Sequence, residues 1–264
     1  MTVGILGYGN MGAALASGLR QQQPDTKIAI LESSPARRRW AVQKLEAIDC
    51  GTDAGELCRQ SDVLVLAISP EDLDTVAPGL AGCIGEQPVI SILPNVTLDR
   101  LVKTLKTQNV CRLVPNLAAQ VGEALVAISY PAGPSESLVR TANDLANAIG
   151  FPLTIPEQLI PAMTGLSGAG IAYLLKFIDA MSLGAVEAGM RYEDAVTASL
   201  QVLRGAAALI DETGEHPAEL VSKAATPAGP GIAGLRVLDD RGFDGAVSAA
   251  VSAAAARARD SELK

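Results

Sequence analysis

Thr2-Val3-Gly4-Ile5-Leu6 runs straight into Gly7-Tyr8-Gly9-Asn10-Met11-Gly12 and on into Ala13-Ala14-Leu15-Ala16-Ser17-Gly18-Leu19. A short apolar strand, a G-x-G-x-x-G turn and the start of an amphipathic helix follow one another, the context that gives the glycine pattern its meaning. Gly7 allows the tight turn, Gly9 lets a pyrophosphate approach the backbone, and Gly12 lets the helix pack on the strand. The pyrophosphate then rests on free N–H groups at the positive end of the helix dipole. The stretch therefore predicts dinucleotide binding through Gly7, Gly9, Asn10, Met11 and Gly12. The competing reading is a glycine turn in an unrelated α/β protein.

Outward from this turn, strand and helix alternate. Lys27–Leu31 reads as a strand and Pro35–Leu45 as a helix, with Trp40 packed along it. Residues 62–69 (DVLVLAIS) form a continuous apolar run, the pattern of a buried parallel strand. Residues 88–93 and Val110–Val114 are two more strands separated by the helical Leu98–Leu105. Ala124–Ser129 reads as an edge strand, and residues 138–149 as a helix. The expected class is α/β, with an N-terminal Rossmann domain built on a doubly wound parallel sheet over residues 1–156. Ligands in such sheets lie at the carboxyl ends of the strands, which singles out loops 7–12, 68–71, 94–97 and 115–119.

Three prolines within residues 151–161 mark a linker. Residues 157–264 then read as an all-helical domain for dimerisation and substrate binding. Helices over 171–189, 193–213 and the alanine-rich 244–259 have wide apolar faces. So little polar surface points to burial against a second subunit, a homodimer, with a monomeric helical cap as the alternative.

Composition narrows the classes. Of 264 residues, 48% are hydrophobic and only 3% aromatic, so a sizeable core is built from Ala, Val, Leu and Ile. The net charge of -8 argues against nucleic acid and against an anionic membrane surface. No apolar run is expected to reach transmembrane length. Strand residues start at once, without a basic leader, and Cys50, Cys58, Cys83 and Cys111 have no C-x-x-C spacing. They read as reduced thiols of a cytoplasmic protein. The single histidine, His216, precedes Pro217 at a helix start and reads as structural, so no metal site is expected.

Glu32 ends the second strand, twenty residues after Gly12. A carboxylate there accepts hydrogen bonds from the adenosine ribose and repels a 2′-phosphate, which favours NADH. Arg37, Arg38 and Arg39 follow closely, and Ser33 and Ser34 can bond a phosphate. They keep NADPH open, unless the arginines are only the solvated first turn of a helix.

Three later segments resemble pyrroline-5-carboxylate reductases. They are Cys111-Arg112-Leu113-Val114-Pro115-Asn116-Leu117-Ala118-Ala119-Gln120-Val121-Gly122-Glu123, Met163-Thr164-Gly165-Leu166-Ser167-Gly168-Ala169-Gly170-Ile171-Ala172-Tyr173, and His216-Pro217-Ala218-Glu219-Leu220 through Thr226-Pro227-Ala228-Gly229-Pro230-Gly231-Ile232-Ala233-Gly234-Leu235. Residues 242–263 are similar to the family's last helix, and the segments keep the family's order. The resemblance implies a Rossmann domain, a helical domain that interlocks in a dimer, and in some members rings of dimers. It implies reduction of the cyclic imine 1-pyrroline-5-carboxylate to proline, by hydride from a reduced nicotinamide. The small-molecule substrate's carboxylate would be held by the loop around Thr226, Gly229, Gly231 and Ile232 at a helix N-terminus. Ser167 and Tyr173 are further candidates on the substrate side. Ala67, Ser69, Pro70 and Asn116 join Glu32 and Ser33 on the cofactor side.

The departures from the family cluster at these loops. The substrate loop, usually Ser-Pro-Gly-Gly-Thr-Thr, here has Thr226 first and Gly231 where the family's last threonine touches the substrate nitrogen. Pro230 removes one backbone donor. Ala67-Ile68-Ser69-Pro70-Glu71 lacks the family's lysine. Lys176 is a gain, on a helix position that is usually apolar. It is either a catalytic proton donor or carboxylate anchor, or a structural partner of Asp179 three residues on. A different cyclic imine as substrate, a regulator that keeps the nucleotide and has lost the chemistry, and a β-hydroxyacid dehydrogenase are the alternatives. The lysine spacing from Gly170 speaks against the last.

Overall fold

Parallel strands covered by helices on both faces have no side turned to water, so their sequences are apolar throughout. The computed structural model describes residues 1–262, so the last two residues of the expected second domain lie outside the described residues. The order is β1 (Thr2–Leu6), α1 (Asn10–Gln22), β2 (Lys27–Leu31), α2 (Pro35–Leu45), β3 (Ile48–Asp49), α3 (Ala54–Gln60), β4 (Val63–Leu66), α4 (Leu73–Ala81), β5 (Val89–Ser91), α5 (Leu98–Leu105), β6 (Val110–Val114), β7 (Ala124–Ser129), α6 (Glu136–Asn147) and β8 (Gly150–Thr154). These strands form one sheet in the order β3-β2-β1-β4-β5-β6-β7-β8. All neighbours are parallel except β6 and β7. The chain doubles back at β1 and β4, and the glycine turn opens at that switch point.

Alternate residues of the central strands feed two cores. Val3, Ile5, Val63 and Val65 join Leu15 and Leu19 of α1 and Leu145 of α6 on one face. Leu6, Leu64 and Leu66 join Leu57, Leu73, Leu80 and Leu101 on the other. Polar caps start the covering helices. The Asp53 carboxylate accepts the Gly55 and Glu56 N–H groups at α3, and Ser135 accepts the Leu138 N–H at α6.

Several expectations are corrected. Residues 150–154 form β8 within the segment read as a linker. Pro152 is tolerated because β8 is an edge strand, where a missing N–H can face away from the ladder. Ala124–Ser129 is consequently interior, between β6 and β8. The cysteines are not four separate thiols. The Cys58 and Cys83 sulfurs lie at bonding distance where α3 packs against the segment after α4, while Cys50 and Cys111 are buried and free. Trp40 is half exposed, with its ring 5.9 Å from that of Tyr8.

The remaining elements are α7 (Ile160–Met163), a π turn (Thr164–Gly168), α8 (Gly170–Glu187), α9 (Tyr192–Thr213), α10 (Pro217–Ala224), α11 (Pro230–Asp240) and α12 (Phe243–Glu262). Two compact units result. One is Met1–Gly168 with the described residues from Ala254, and the other is Ala169–Ala253. The second unit is thinly packed. Ser182 and Ser199 are buried and hydrogen-bonded at 3.2 Å between α8 and α9, and the rings of Phe177 and Phe243 meet at 5.9 Å. Yet Leu174, Leu175, Leu183, Leu200, Leu209 and Val237 are exposed, and α10, α11 and α12 have no buried residue. A surface this apolar requires a cover. The helical run Glu157–Glu187 is also long and apolar enough to cross a membrane, contrary to the sequence expectation. Thr164, the glycines, Lys176 and Asp179 break its apolar letters, but the average over the helix stays high.

Candidate active site

The glycine turn has the form that a dinucleotide needs. Gly7 has φ +93°, and a Cβ there would lie 2.6 Å from the Ala67 carbonyl oxygen. A Cβ on Gly12 would overlap the Gly7 carbonyl oxygen. Gly9 differs, because its Cβ would meet nothing within 4 Å. It is the extended residue that opens α1, no side chain caps the helix, and its first turn holds no acidic residue. The leading N–H groups of α1, on Asn10, Met11 and Gly12, are therefore free to meet an anion. This cradle of missing Cβ atoms fits a pyrophosphate.

Two cavities flank the turn, both within the first unit. One, of about 410 Å³, is lined by Gly7, Gly9, Glu32, Ser33, Arg37 and Ser69. The other, of about 320 Å³, is lined by Met11, Pro94, Asn95, Arg112, Pro115 and Glu262. Ala67 and Ile68 border both. An elongated ligand crossing the glycine turn would thus have one end in each.

Glu32 stands at the end of β2 as expected, but its carboxylate is turned inward and is 5% exposed. Oε2 accepts the Tyr8 N–H at 2.7 Å, and Oε1 accepts the Ser34 N–H at 2.8 Å and the Ser33 hydroxyl at 3.2 Å. Burial raises its pKa, but the Ser34 and Tyr8 N–H groups, the Ser33 hydroxyl and Arg37 at 3.9 Å outweigh it and hold the carboxyl below the usual glutamate value. The acid therefore fastens the glycine turn. Tyr8 is buried, its hydroxyl has no partner among the described residues, and burial pushes its pKa up to about 12. Ser69 donates to Asp72 at 2.6 Å, and Pro70 opens a single 3-10 turn.

On the far side, Asn116 and Ser167 are both buried and meet. The Asn116 amide donates to the Ser167 hydroxyl at 3.0 Å and accepts the Ala118 N–H at 3.1 Å. Sequence reasoning missed a buried charged group. Arg112, 1% exposed on β6, pairs with Glu157 and with Glu262, each at 2.8 Å. Glu157 also accepts the Leu98 N–H at 2.6 Å. The Arg112 Nε has no partner among the described residues. Removing both carboxylates would leave the buried guanidinium unpaired, a loss on the order of 3–5 kcal/mol. The readable signal was an arginine inside the apolar run Val110–Val114, since a buried guanidinium needs partners.

The second unit holds the remaining candidates. Thr226, Gly231 and Ile232 are exposed, and Ala228 takes a positive φ of 57° to turn the chain into α11. The Gly229 N–H is not free, as the sequence had implied, because it donates to the Thr226 carbonyl at 3.0 Å. Among the described residues, the Gly231 and Ile232 N–H groups have no backbone partner at the start of α11. A Cβ on Gly231 would come 3.0 Å from the Ala224 carbonyl oxygen. Lys176 is exposed and does not pair with Asp179, which instead accepts the Tyr192 hydroxyl at 3.0 Å. Tyr173 donates to the Ala250 carbonyl at 3.2 Å.

The chain is similar to known proteins along nearly its whole length. Residues 157–261 match the family described as pyrroline-5-carboxylate reductase dimerisation, and residues 2–95 match that described as NADP oxidoreductase, coenzyme F420-dependent. The chain is 36% identical over 259 residues to the pyrroline-5-carboxylate reductase of Synechocystis sp., covering 98% of this chain and 97% of that one. It is 35% identical over 263 residues to the pyrroline-5-carboxylate reductase of Methanosarcina acetivorans, with coverage of 98% and 97%. The fold superposes on 1-pyrroline-5-carboxylate reductase from Streptococcus pyogenes with a TM-score of 0.86 and 27% identity, covering 98% of both chains. Sequence, fold and glycine turn lead to one assignment: the chain belongs to the pyrroline-5-carboxylate reductase family.

Proposed function

We propose that the chain reduces 1-pyrroline-5-carboxylate to L-proline with NAD(P)H, as a homodimer. The observation that carries this is the full-length likeness to relatives named for that reaction. The open Gly9 and the uncapped start of α1 support the cofactor's place. When bound, a reduced nicotinamide supplies the hydride. The chain's own residues need little acid–base chemistry, because a protonated imine is already electrophilic. Their work is to align two rings and hold a carboxylate.

In this reading Asn10, Met11 and Gly12 hold the pyrophosphate through their N–H groups. Glu32 and Ser33 face the adenosine end, and Ala67, Ser69, Pro70 and Asn116 border the path across the turn. NADH is the preferred cofactor, because the ionised Glu32 carboxylate in the cavity wall repels a 2′-phosphate. Thr226 and the free N–H groups of Gly231 and Ile232 hold the substrate carboxylate, with Ser167, Tyr173 and Lys176 as further substrate-side groups. Residues 1–156 act as the dinucleotide-binding domain and 157–264 as the dimerisation and substrate domain, in the cytoplasm. Light scattering distinguishes a dimer from a ring of dimers.

Gly231 favours a second reading, a different cyclic imine, because it offers no hydroxyl to a substrate nitrogen. Oxidation of NADH and NADPH measured against five- and six-membered cyclic imino acids tests both. Turnover that is fastest with the five-membered imine supports the first reading. Nucleotide binding without turnover on any imine contradicts both.

A further inference from the structure

The cavity of about 320 Å³ at the carboxyl ends of the sheet has one charged wall. Met11, Ile92, Leu93, Val114 and Ile160 make most of its lining apolar, and its charged members among the described residues are Arg112 and Glu262. Arg112 meets Glu157 and Glu262 at 2.8 Å each. Among the described residues, one guanidinium between two carboxylates leaves one negative charge uncompensated. Glu262 presents its part of that charge to the cavity, whereas Glu157 is engaged by the Leu98 N–H as well. Ala258, one helical turn earlier, lines the same cavity, so this face of α12 is one of its walls. Apolar surroundings hold little water to screen such a charge.

We infer that Glu262 is a specificity-determining residue which makes this cavity select a cationic ring, an oxidised nicotinamide over a reduced one and a protonated imine over a neutral one. The inference rests on the proposed reductase function. In that reaction one positive charge lies on the imine before transfer and on the cofactor ring afterwards. A carboxylate fixed by Arg112 faces that charge throughout and needs no rearrangement, which is the economy of a preorganised site. It also explains why β6 carries a buried arginine. Among the described residues, Arg112 is what holds Glu262 in an apolar wall.

The test is calorimetric titration of the full-length protein with NAD+ and with NADH. Glu262→Gln keeps the side-chain shape and removes the charge. It is expected to weaken NAD+ relative to NADH by roughly tenfold, the scale of one unit charge acting across a poorly screened site. Glu262→Asp keeps the charge and is expected to keep the wild-type ratio. A merely structural Glu262 would weaken both nucleotides alike, so an unchanged ratio in Glu262→Gln overturns the inference. Should that variant fail to fold, Glu157→Gln removes one negative charge from the same Arg112 cluster while its amide oxygen still accepts the Leu98 N–H. It must then shift the ratio in the same direction, and an unmoved ratio again overturns the inference. If the wild-type protein binds neither nucleotide, the reductase reading itself falls and takes this inference with it.

Discussion

The carboxylate of Glu32 accepts the main-chain N–H of Tyr8 at 2.7 Å, so the acid that ends β2 also fastens the glycine turn. Turn geometry and, in the proposed reading, adenosine selection depend on one side chain. Replacing Glu32 by Ser should relax the preference for NADH over NADPH. It should also lower stability by about 1–3 kcal/mol, because the buried Tyr8 N–H loses its acceptor. Titration with both nucleotides and thermal melts check the two effects. A stable variant with an unchanged preference would show that Ser33 and Arg37 alone decide.

Acid should reveal the same carboxylate. Its folded-state pKa lies below the unfolded value of about 4.3. The stabilisation is thus complete above that value and is lost as pH falls through the folded-state pKa. Glu32→Gln has no such group to titrate. Its melting temperature should fall less steeply than that of the wild type on acidification below about pH 4.3, whatever its value at neutrality.

The glycines of the turn should separate folding from binding. A Cβ at Gly9 meets nothing within 4 Å, so Gly9→Ala should fold with a stability change within about 0.5 kcal/mol yet bind NADH far more weakly. A Cβ at Gly12 overlaps the Gly7 carbonyl oxygen, so Gly12→Ala should lose about 1–3 kcal/mol of stability as well. Trp40 is the single tryptophan and its ring is 5.9 Å from that of Tyr8, so its quenching by NADH reads the binding.

The loop before α11 allows a gain of function to be tested. Gly231→Thr brings a Cβ to 3.0 Å from the Ala224 carbonyl oxygen, which a shift of a few tenths of an ångström relieves. The added hydroxyl should raise kcat/KM for 1-pyrroline-5-carboxylate by roughly fivefold, the worth of one hydrogen bond. A fall would mean that the shift displaces the free Gly231 and Ile232 N–H groups.

Local pattern carried much of the fold. Lys27–Leu31 and Val110–Val114 are strands with the expected bounds, because short, mostly apolar runs between turn signals leave few alternatives. Residues 150–154 were hidden, since Gly150 and Pro152 look like a linker until β7 supplies a partner. At the site, the position of Glu32 was legible but its orientation was not, because turning inward depends on Tyr8 N–H being within reach. Arg112 stood out in its strand, but its partners lie 45 and 150 residues away, beyond any local pattern.

The most direct measurement is the oxidation of NADH and NADPH by the purified protein with 1-pyrroline-5-carboxylate, followed by absorbance. Robust turnover that forms proline, faster with NADH, is the expected result. Tight nucleotide binding with no turnover on this imine would contradict the assigned reaction.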